Sequence, residues 1–337
     1  MSDDRFPEQP LNNNPSSLSQ VPSKGIPFRE RAFLVGNVIG VNAYRVNRTS
    51  LKQRFTEGGY QLHETPHFLI GLQAPSPILV IHWFAPQEID VDLGYHFMEE
   101  LKPIGILAQP NNYGDVFGAI VGSLFPRDSQ RAWHLFGTNT LQRYHHLLAL
   151  ESMPLQGDSP IAVFSTLYRR MCELVTGTSL LDAGCSFGFL PLLVAERIPS
   201  LTNVVGVDIR PDPFPVARAI AAGRHLPNIH FAQADLLAAD FTSIGRFSIV
   251  TALHVLEHFS EADMYPVLAN LLQVTGQLLI IAVPYEPGEP EAAYGHKQLF
   301  TRSKLEAVGR WCLEYSGKGR ATCEECAGGL LLIDRAL

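Results

Sequence analysis

Three carboxylates, a glycine-bearing turn and a histidine-containing loop stand at the ends of successive apolar runs in the second half of this 337-residue chain. The first run ends in Leu181-Asp182-Ala183-Gly184-Cys185-Ser186-Phe187-Gly188-Phe189. Gly184 and Gly188 can let backbone approach a ligand that any side chain would obstruct. A carboxylate at Asp182 suits a cationic ammonium group, whereas a pyrophosphate prefers bare helix N–H groups there. The second run, Val204-Val205-Gly206-Val207-Asp208, ends in an acid about 20 residues past the turn, where it can accept hydrogen bonds from both ribose hydroxyls. The third leads into Gln233-Ala234-Asp235-Leu236, whose carboxylate can take an adenine amino group while apolar neighbours sandwich the ring. The fourth ends in Thr251-Ala252-Leu253-His254-Val255-Leu256-Glu257-His258, next to where a reactive centre would lie.

Such residues need strands to carry them to one edge. After the helical pattern Ile161 to Val175, strands are expected at Ser179 to Ala183, Asn203 to Asp208, Ile229 to Gln233, Phe247 to Ala252 and Gln277 to Val283, with a last one near Leu330 to Ile333. Helices are expected between them at Phe189 to Glu196, Phe214 to Gly223, Ala262 to Gln273 and Arg302 to Cys312. That alternation specifies an α/β fold, a mostly parallel, doubly wound sheet with helices on both faces. In such sheets ligands sit beyond the carboxyl ends of the strands, where strand order reverses.

Before it, residues 27–152 read as a smaller mixed α+β accessory domain. Strands are expected at Phe33 to Val46 and Ile78 to Phe84, a turn capped by Asp90 or Asp92 should carry Leu93, Phe97 and Leu101, and Arg131 to Leu150 should be helical. Met153 to Pro160, with two prolines and a glycine, is the expected boundary before a domain over 161–337. Residues 1–25, polar and rich in Asn, Ser, Pro and Gln, read as a disordered tail.

Composition narrows the function classes. A net charge of −7 without any basic run argues against nucleic acid as a partner. The most apolar stretches are strand-length, far below the roughly 20 residues of a membrane-spanning helix, and no secretory pattern opens the chain. Five scattered cysteines do not form a disulfide framework, so a cytoplasmic location is expected.

Each motif has a plainer reading. A glycine turn can serve packing alone, and Asp208 can be a helix cap. A dinucleotide-binding fold also pairs a glycine turn with a later acid, but Gly184 to Gly188 lacks the G-x-G-x-x-G spacing. What packing does not account for is four features in order at consecutive strand ends.

That order closely resembles class I S-adenosylmethionine-dependent methyltransferases. The resemblance covers the whole second half and implies S-adenosylmethionine as cofactor. It implies that Asp182 and Gly184 hold the methionine portion, Asp208 the ribose, and Asp235 with Leu236 the adenine; Cys185, Gly188, Ile209 and Leu253 join the cofactor-binding set. Ser186 departs from the family, many of whose members have glycine there, so the turn can differ in shape.

Methyl transfer to a hydroxyl needs near-attack geometry and removal of a proton, for which histidine is the usual base. His254 and His296 are the candidates, the latter in the loop Tyr285 to Thr301. His254 and His258 with Glu257 have i, i+4 spacing that can ligate a metal if both histidines share a helical face, although a structural role for His258 is the plainer reading. Cys323-Glu324-Glu325-Cys326 lacks a second pair for zinc, so no metal ligand is assigned. Trp83, Trp133, Tyr44 and Phe84 can form a sugar-stacking surface or pack in a core.

Three longer strings, Arg131-Ala132-Trp133-His134 through Asn139-Thr140-Leu141, Gly184 through Leu190, and Val283-Pro284-Tyr285 through Ala293-Tyr294-Gly295-His296, are similar to the mycofactocin oligosaccharide methyltransferases. This narrower resemblance implies O-methylation of a sugar or other small hydroxylated metabolite, with the first domain helping to recognise the acceptor. The alternative is a non-catalytic nucleoside-binding or interaction protein that keeps the fold. Oligomeric state is left open.

Overall fold

The structure is a computed structural model that describes residues 29–109, 111–150 and 159–336. The expected tail, most of the expected boundary segment and Leu337 lie outside the described residues. These fall into two units, 29–143 with 159–161 and 144–150 with 162–336.

The first unit is built on a five-stranded sheet. Its strands are β1 (Ala32–Val35), β2 (Val38–Asn42), β3 (Gln61–Glu64), β4 (Phe68–Leu72) and β5 (Ile78–His82), in the order β1-β2-β5-β4-β3. β2 runs parallel to β5 and the other pairs are antiparallel. The strand expected over residues 33–46 is instead the β1–β2 hairpin, because the chain reverses at Gly36, which holds a positive φ of 52°. Helix α1 (Arg48–Glu57) starts at Asn47, whose side chain accepts the Ser50 N–H at 2.9 Å.

α2 (Leu93–His96) and a wide turn over Phe97–Leu101 bury Leu93, Phe97 and Leu101, as their spacing predicts. Asp92 stands at the helix start but makes no capping bond. Asp90 caps the turn, its Oδ1 accepting the Asp92 N–H at 2.8 Å, and Asp90 and Asp92 receive the two arms of the Arg143 guanidinium at 2.8 and 2.9 Å. α3 (Asn112–Gly122) packs its small residues against the sheet, and α4 (Ser129–Ala149) follows.

In the second unit the strands are β6 (Ser179–Ala183), β7 (Asn203–Asp208), β8 (Ile229–Gln233), β9 (Phe247–Leu253), β10 (Thr275–Val283), β11 (Arg320–Glu325) and β12 (Gly329–Asp334). The helices are α5 (Pro160–Leu174), α6 (Phe189–Arg197), α7 (Phe214–Gly223), α8 (Glu261–Val274) and α9 (Arg302–Ser316). Strand order is β11-β12-β10-β9-β6-β7-β8, with β6 to β10 parallel. β12 is antiparallel to β10 and to β11, a strand absent from the sequence expectation. The central strands are mostly apolar because helices cover both faces.

Order reverses between β6 and β9, so the cleft opens beyond Ala183 and Leu253. Ser260 and Thr301 cap α8 and α9 by accepting the Asp263 and Lys304 N–H groups. No described helix is long and apolar enough to cross a membrane.

Candidate active site

Asp182 and Thr251 are register partners on β6 and β9, the two strands that flank the reversal. The Thr251 hydroxyl donates to Asp182 Oδ1 at 2.7 Å, and Asp182 is 4% exposed. Burial raises its carboxyl to about 7, with the Asp208 charge adding to the rise and the Thr251 bond opposing it. A cation is what would offset this desolvation, as the ammonium reading of Asp182 requires. Tyr168 of α5 is buried nearby, and its hydroxyl is raised well above the ordinary value by burial, then by Asp182 and Cys185. Thr251 and Tyr168 were not marked by sequence, since a lone hydroxyl in an apolar run carries no spacing signal.

Asp208, at the end of β7, holds the β6 turn. Its Oδ2 accepts the Ser186 N–H at 2.9 Å and its Oδ1 accepts the Arg210 N–H at 3.0 Å. Both oxygens keep lone pairs for a vicinal diol. Ser186 sits at φ 48°, so the turn takes the left-handed shape that glycine would adopt more easily. The glycines also answer to demands of the chain itself. A Cβ at Gly184 would lie 2.5 Å from Val255 Cγ2, and one at Gly188 2.4 Å from the Phe231 ring. Both also have positive φ, so these glycines answer to backbone shape and to the protein's own packing. Cys185 is buried between these features and its thiol is raised well above the ordinary range, first by burial and then by Asp182 and Asp208.

Asp235 follows β8, and its Oδ1 accepts the Leu237 N–H at 2.9 Å. The loop is tied to its neighbour by the Ala234 N–H bond to Asp208 C=O and the Gln233 amide bond to Ile209 C=O. Leu236, expected to face the adenine, is 6% exposed and packed in the core. Ile209 and Leu237 are the solvent-facing apolar side chains, 60% and 38% exposed. An exposed isoleucine and leucine on neighbouring strand-end loops suit the faces of an aromatic ring. Leu253, 7% exposed, ends β9.

Beyond β9 the chain does not form the helix that i, i+4 ligation by His254 and His258 needs. His254 has φ 55°, and only Leu256–His258 makes a short 3-10 turn. Phe164 of α5 lies against the His254 ring, centroids 5.1 Å apart, and Nε2 is buried without a partner. Burial lowers this imidazole to about 4, with His296 and His258 adding to the shift, so it is neutral near pH 7. His296 comes into the same cluster from the loop after β10, its ring 4.9 Å from that of His258. Its Nδ1 is 2.7 Å from Glu286 Oε1, an orienting carboxylate not singled out from the sequence. Glu257 is fully buried, neither carboxylate oxygen has a hydrogen-bond partner, and burial pushes it up to about 8.

The first unit holds a cluster whose one sequence signal is the i, i+4 spacing of His96 and Glu100. His67, His96 and Glu100 converge beside a cavity of about 470 Å³, with Phe84 stacked 5.2 Å from His67. Phe84 is therefore ring packing, as is Trp133, which stacks on Phe117. Trp83 donates to Val46 C=O and lies under Arg48, and Tyr44 lies beside Arg45. Cys323 and Cys326 join neither of the two His/Glu groups close enough to share an ion among the described residues.

Residues 180–277 match the family described as a methyltransferase domain. The second unit has the class I methyltransferase fold. S-adenosylmethionine is the cofactor of such a domain, and the free lone pairs on Asp208, the buried Asp182 and the exposed Ile209 and Leu237 fit it. The chain is 26% identical over 114 residues to the ubiquinone biosynthesis O-methyltransferase of Acinetobacter baylyi, covering 34% of this chain and 47% of that protein. It thus spans about half the length of the curated relatives it matches. Among solved structures, the methyltransferase domain of bacterial CtHen1-CN overlaps with a TM-score of 0.43 at 18% identity, covering 51% of this chain and 99% of that one. The magnesium protoporphyrin IX methyltransferase of Synechocystis PCC 6803, solved with SAH, gives 0.40 at 16%, covering 58% and 93%.

Proposed function

We propose that the protein is an S-adenosylmethionine-dependent O-methyltransferase acting on a sugar, a glycan or another small hydroxylated metabolite. The observation that carries this reading is the Asp182–Thr251 bond at the strand-order reversal, with Asp208 clamped to the adjoining turn by the Ser186 N–H. When bound, S-adenosylmethionine supplies an electrophilic methyl on a sulfonium. Asp182 faces its ammonium, Asp208 its ribose hydroxyls, and Ile209 and Leu237 its ring. The acceptor enters on the histidine side, where His254 or His296 takes the hydroxyl proton; Glu286 holds the His296 ring in one orientation. Charge disappears as methyl passes to oxygen, so the chain's main contribution is positioning in a site from which water is excluded.

The resemblance in Arg131 to Leu141 and Ala293 to His296 makes a mycofactocin-type oligosaccharide the first acceptor to try. Neither nucleic acid nor membrane is a proposed partner. Calorimetry with the cofactor, followed by mass spectrometry for the gain of one methyl on candidate glycans, tests the proposal. Asp208→Ala should weaken cofactor binding at least tenfold, since each charge-assisted bond contributes about 1.5 to 3 kcal/mol. Cofactor binding without turnover on any hydroxylated acceptor would favour a binding protein instead.

A further inference from the structure

One ligand atom each of Glu257, His258 and His296 lies within 4.8 Å of the other two. Ligands sharing an ion at bonds of about 2.1 Å stand about 3.4 Å apart in a tetrahedron. Side-chain rotation closes that gap, most easily at His258, which is exposed. The Glu257 carboxylate is the second, independent observation. It has no solvent exposure, and its nearest basic neighbour, His254 Nδ1, stands 3.6 Å away, outside hydrogen-bond range. A buried carboxylate with two bare oxygens is costly unless something positive meets it.

The surroundings are built to hold these groups. Glu286 accepts from His296 Nδ1, which leaves Nε2 with the lone pair; a carboxylate behind an imidazole is the usual support of a metal-bound histidine. The Lys297 N–H donates to Glu257 C=O at 2.7 Å, and the buried Gln298 amide donates to Leu256 C=O at 2.9 Å and Phe259 C=O at 3.0 Å. The loop carrying His296 is therefore stitched to the turn carrying Glu257 and His258. By contrast, Glu100 in the first-unit cluster already accepts from the His67 backbone and ring, so its carboxylate is not bare.

We propose that Glu257, His258 and His296 bind one divalent transition-metal ion, with at least one coordination position left open. Two imidazoles and one carboxylate suit zinc or manganese better than calcium or magnesium, which take oxygen ligands. Three protein ligands leave a position for a water or a substrate oxygen. The binding itself does not depend on the methyl-transfer reading; its role does. With that reading, an acceptor hydroxyl in the open position becomes more acidic. His296 is then a ligand, and His254 is the imidazole left to act as base.

Full-length protein stripped with a chelator and titrated with manganese or zinc chloride, by calorimetry and by the manganese EPR signal, tests the site. Binding of one ion is expected, weakened at least tenfold by Glu257→Gln and by His258→Asn and unchanged by His67→Asn. His258 is exposed, so its variant keeps the fold if Glu257→Gln does not. Failure of the wild-type chain to bind either ion, or undiminished affinity in His258→Asn, overturns the assignment. Cofactor binding on the same samples separates the two readings: ion without cofactor sinks the methyltransferase proposal alone, and cofactor without ion sinks the metal site alone.

Discussion

Asp182 is placed under two opposing demands, a buried position that favours the neutral acid and a ligand that calls for the anion. Its folded-state value of about 7 lies above the unfolded value of about 3.9, so between those limits the folded chain holds a proton that the unfolded chain has lost. Its contribution to the stability of the unliganded protein is therefore fully present below pH about 4 and is lost as pH rises through 7. Asp182→Asn removes this dependence. Urea unfolding from pH 5 to 7 should show the variant gaining on wild type by up to about 1.4 kcal/mol per pH unit. Parallel pH profiles would mean that Asp182 titrates as an exposed acid.

At the scale of elements, the turn between β6 and α6 joins the carboxylates into one site. Ser186 donates its backbone N–H to Asp208 from a left-handed conformation that costs a non-glycine residue about 1 to 2 kcal/mol. Ser186→Gly keeps the N–H and relieves the strain, offset in part by the greater freedom of glycine in the unfolded chain. The expected outcome is a gain of up to about 1 kcal/mol in unfolding free energy with unchanged cofactor affinity. A loss of stability would show that the serine side chain supports the turn.

Across the whole molecule, pH acts on the two units through different groups. In the first, His82 at the end of β5 is fully buried. Ser123 donates to Ile120 C=O, so His82 donates to Ser123 from Nε2 and leaves Nδ1 bare. Burial lowers this imidazole to about 3 from its usual 6.5. The unfolded chain therefore binds the extra proton between those values, and stability is fully present above pH 6.5 and falls on acidification toward 3. His82→Gln keeps a donor for Ser123 without a titrating ring. Its thermal midpoint should fall less than that of wild type between pH 7 and pH 5; an equal fall would remove His82 from the acid response.

Local sequence determined the strand ends of the second unit and the acids placed there. Apolar runs of strand length, stopped by glycine or aspartate, leave little choice of structure, and β6, β7, β8 and α7 have the expected bounds. It did not disclose α1, where only Leu51 and Phe55 are buried, nor β3 and β11, whose residues are mostly polar or half-exposed. Such elements are held by neighbours that lie elsewhere in the chain. Tertiary structure alone decided that the ligand-like histidine pairing is His258 with His296, because backbone bonds from Lys297 and Gln298 fold one loop onto another. It alone turned Leu236 into the core and Leu237 outward, and gave Asp182 the Thr251 hydroxyl. Spacing along a chain reports which groups can share a strand or a helix face; register and loop closure decide which of them share a site.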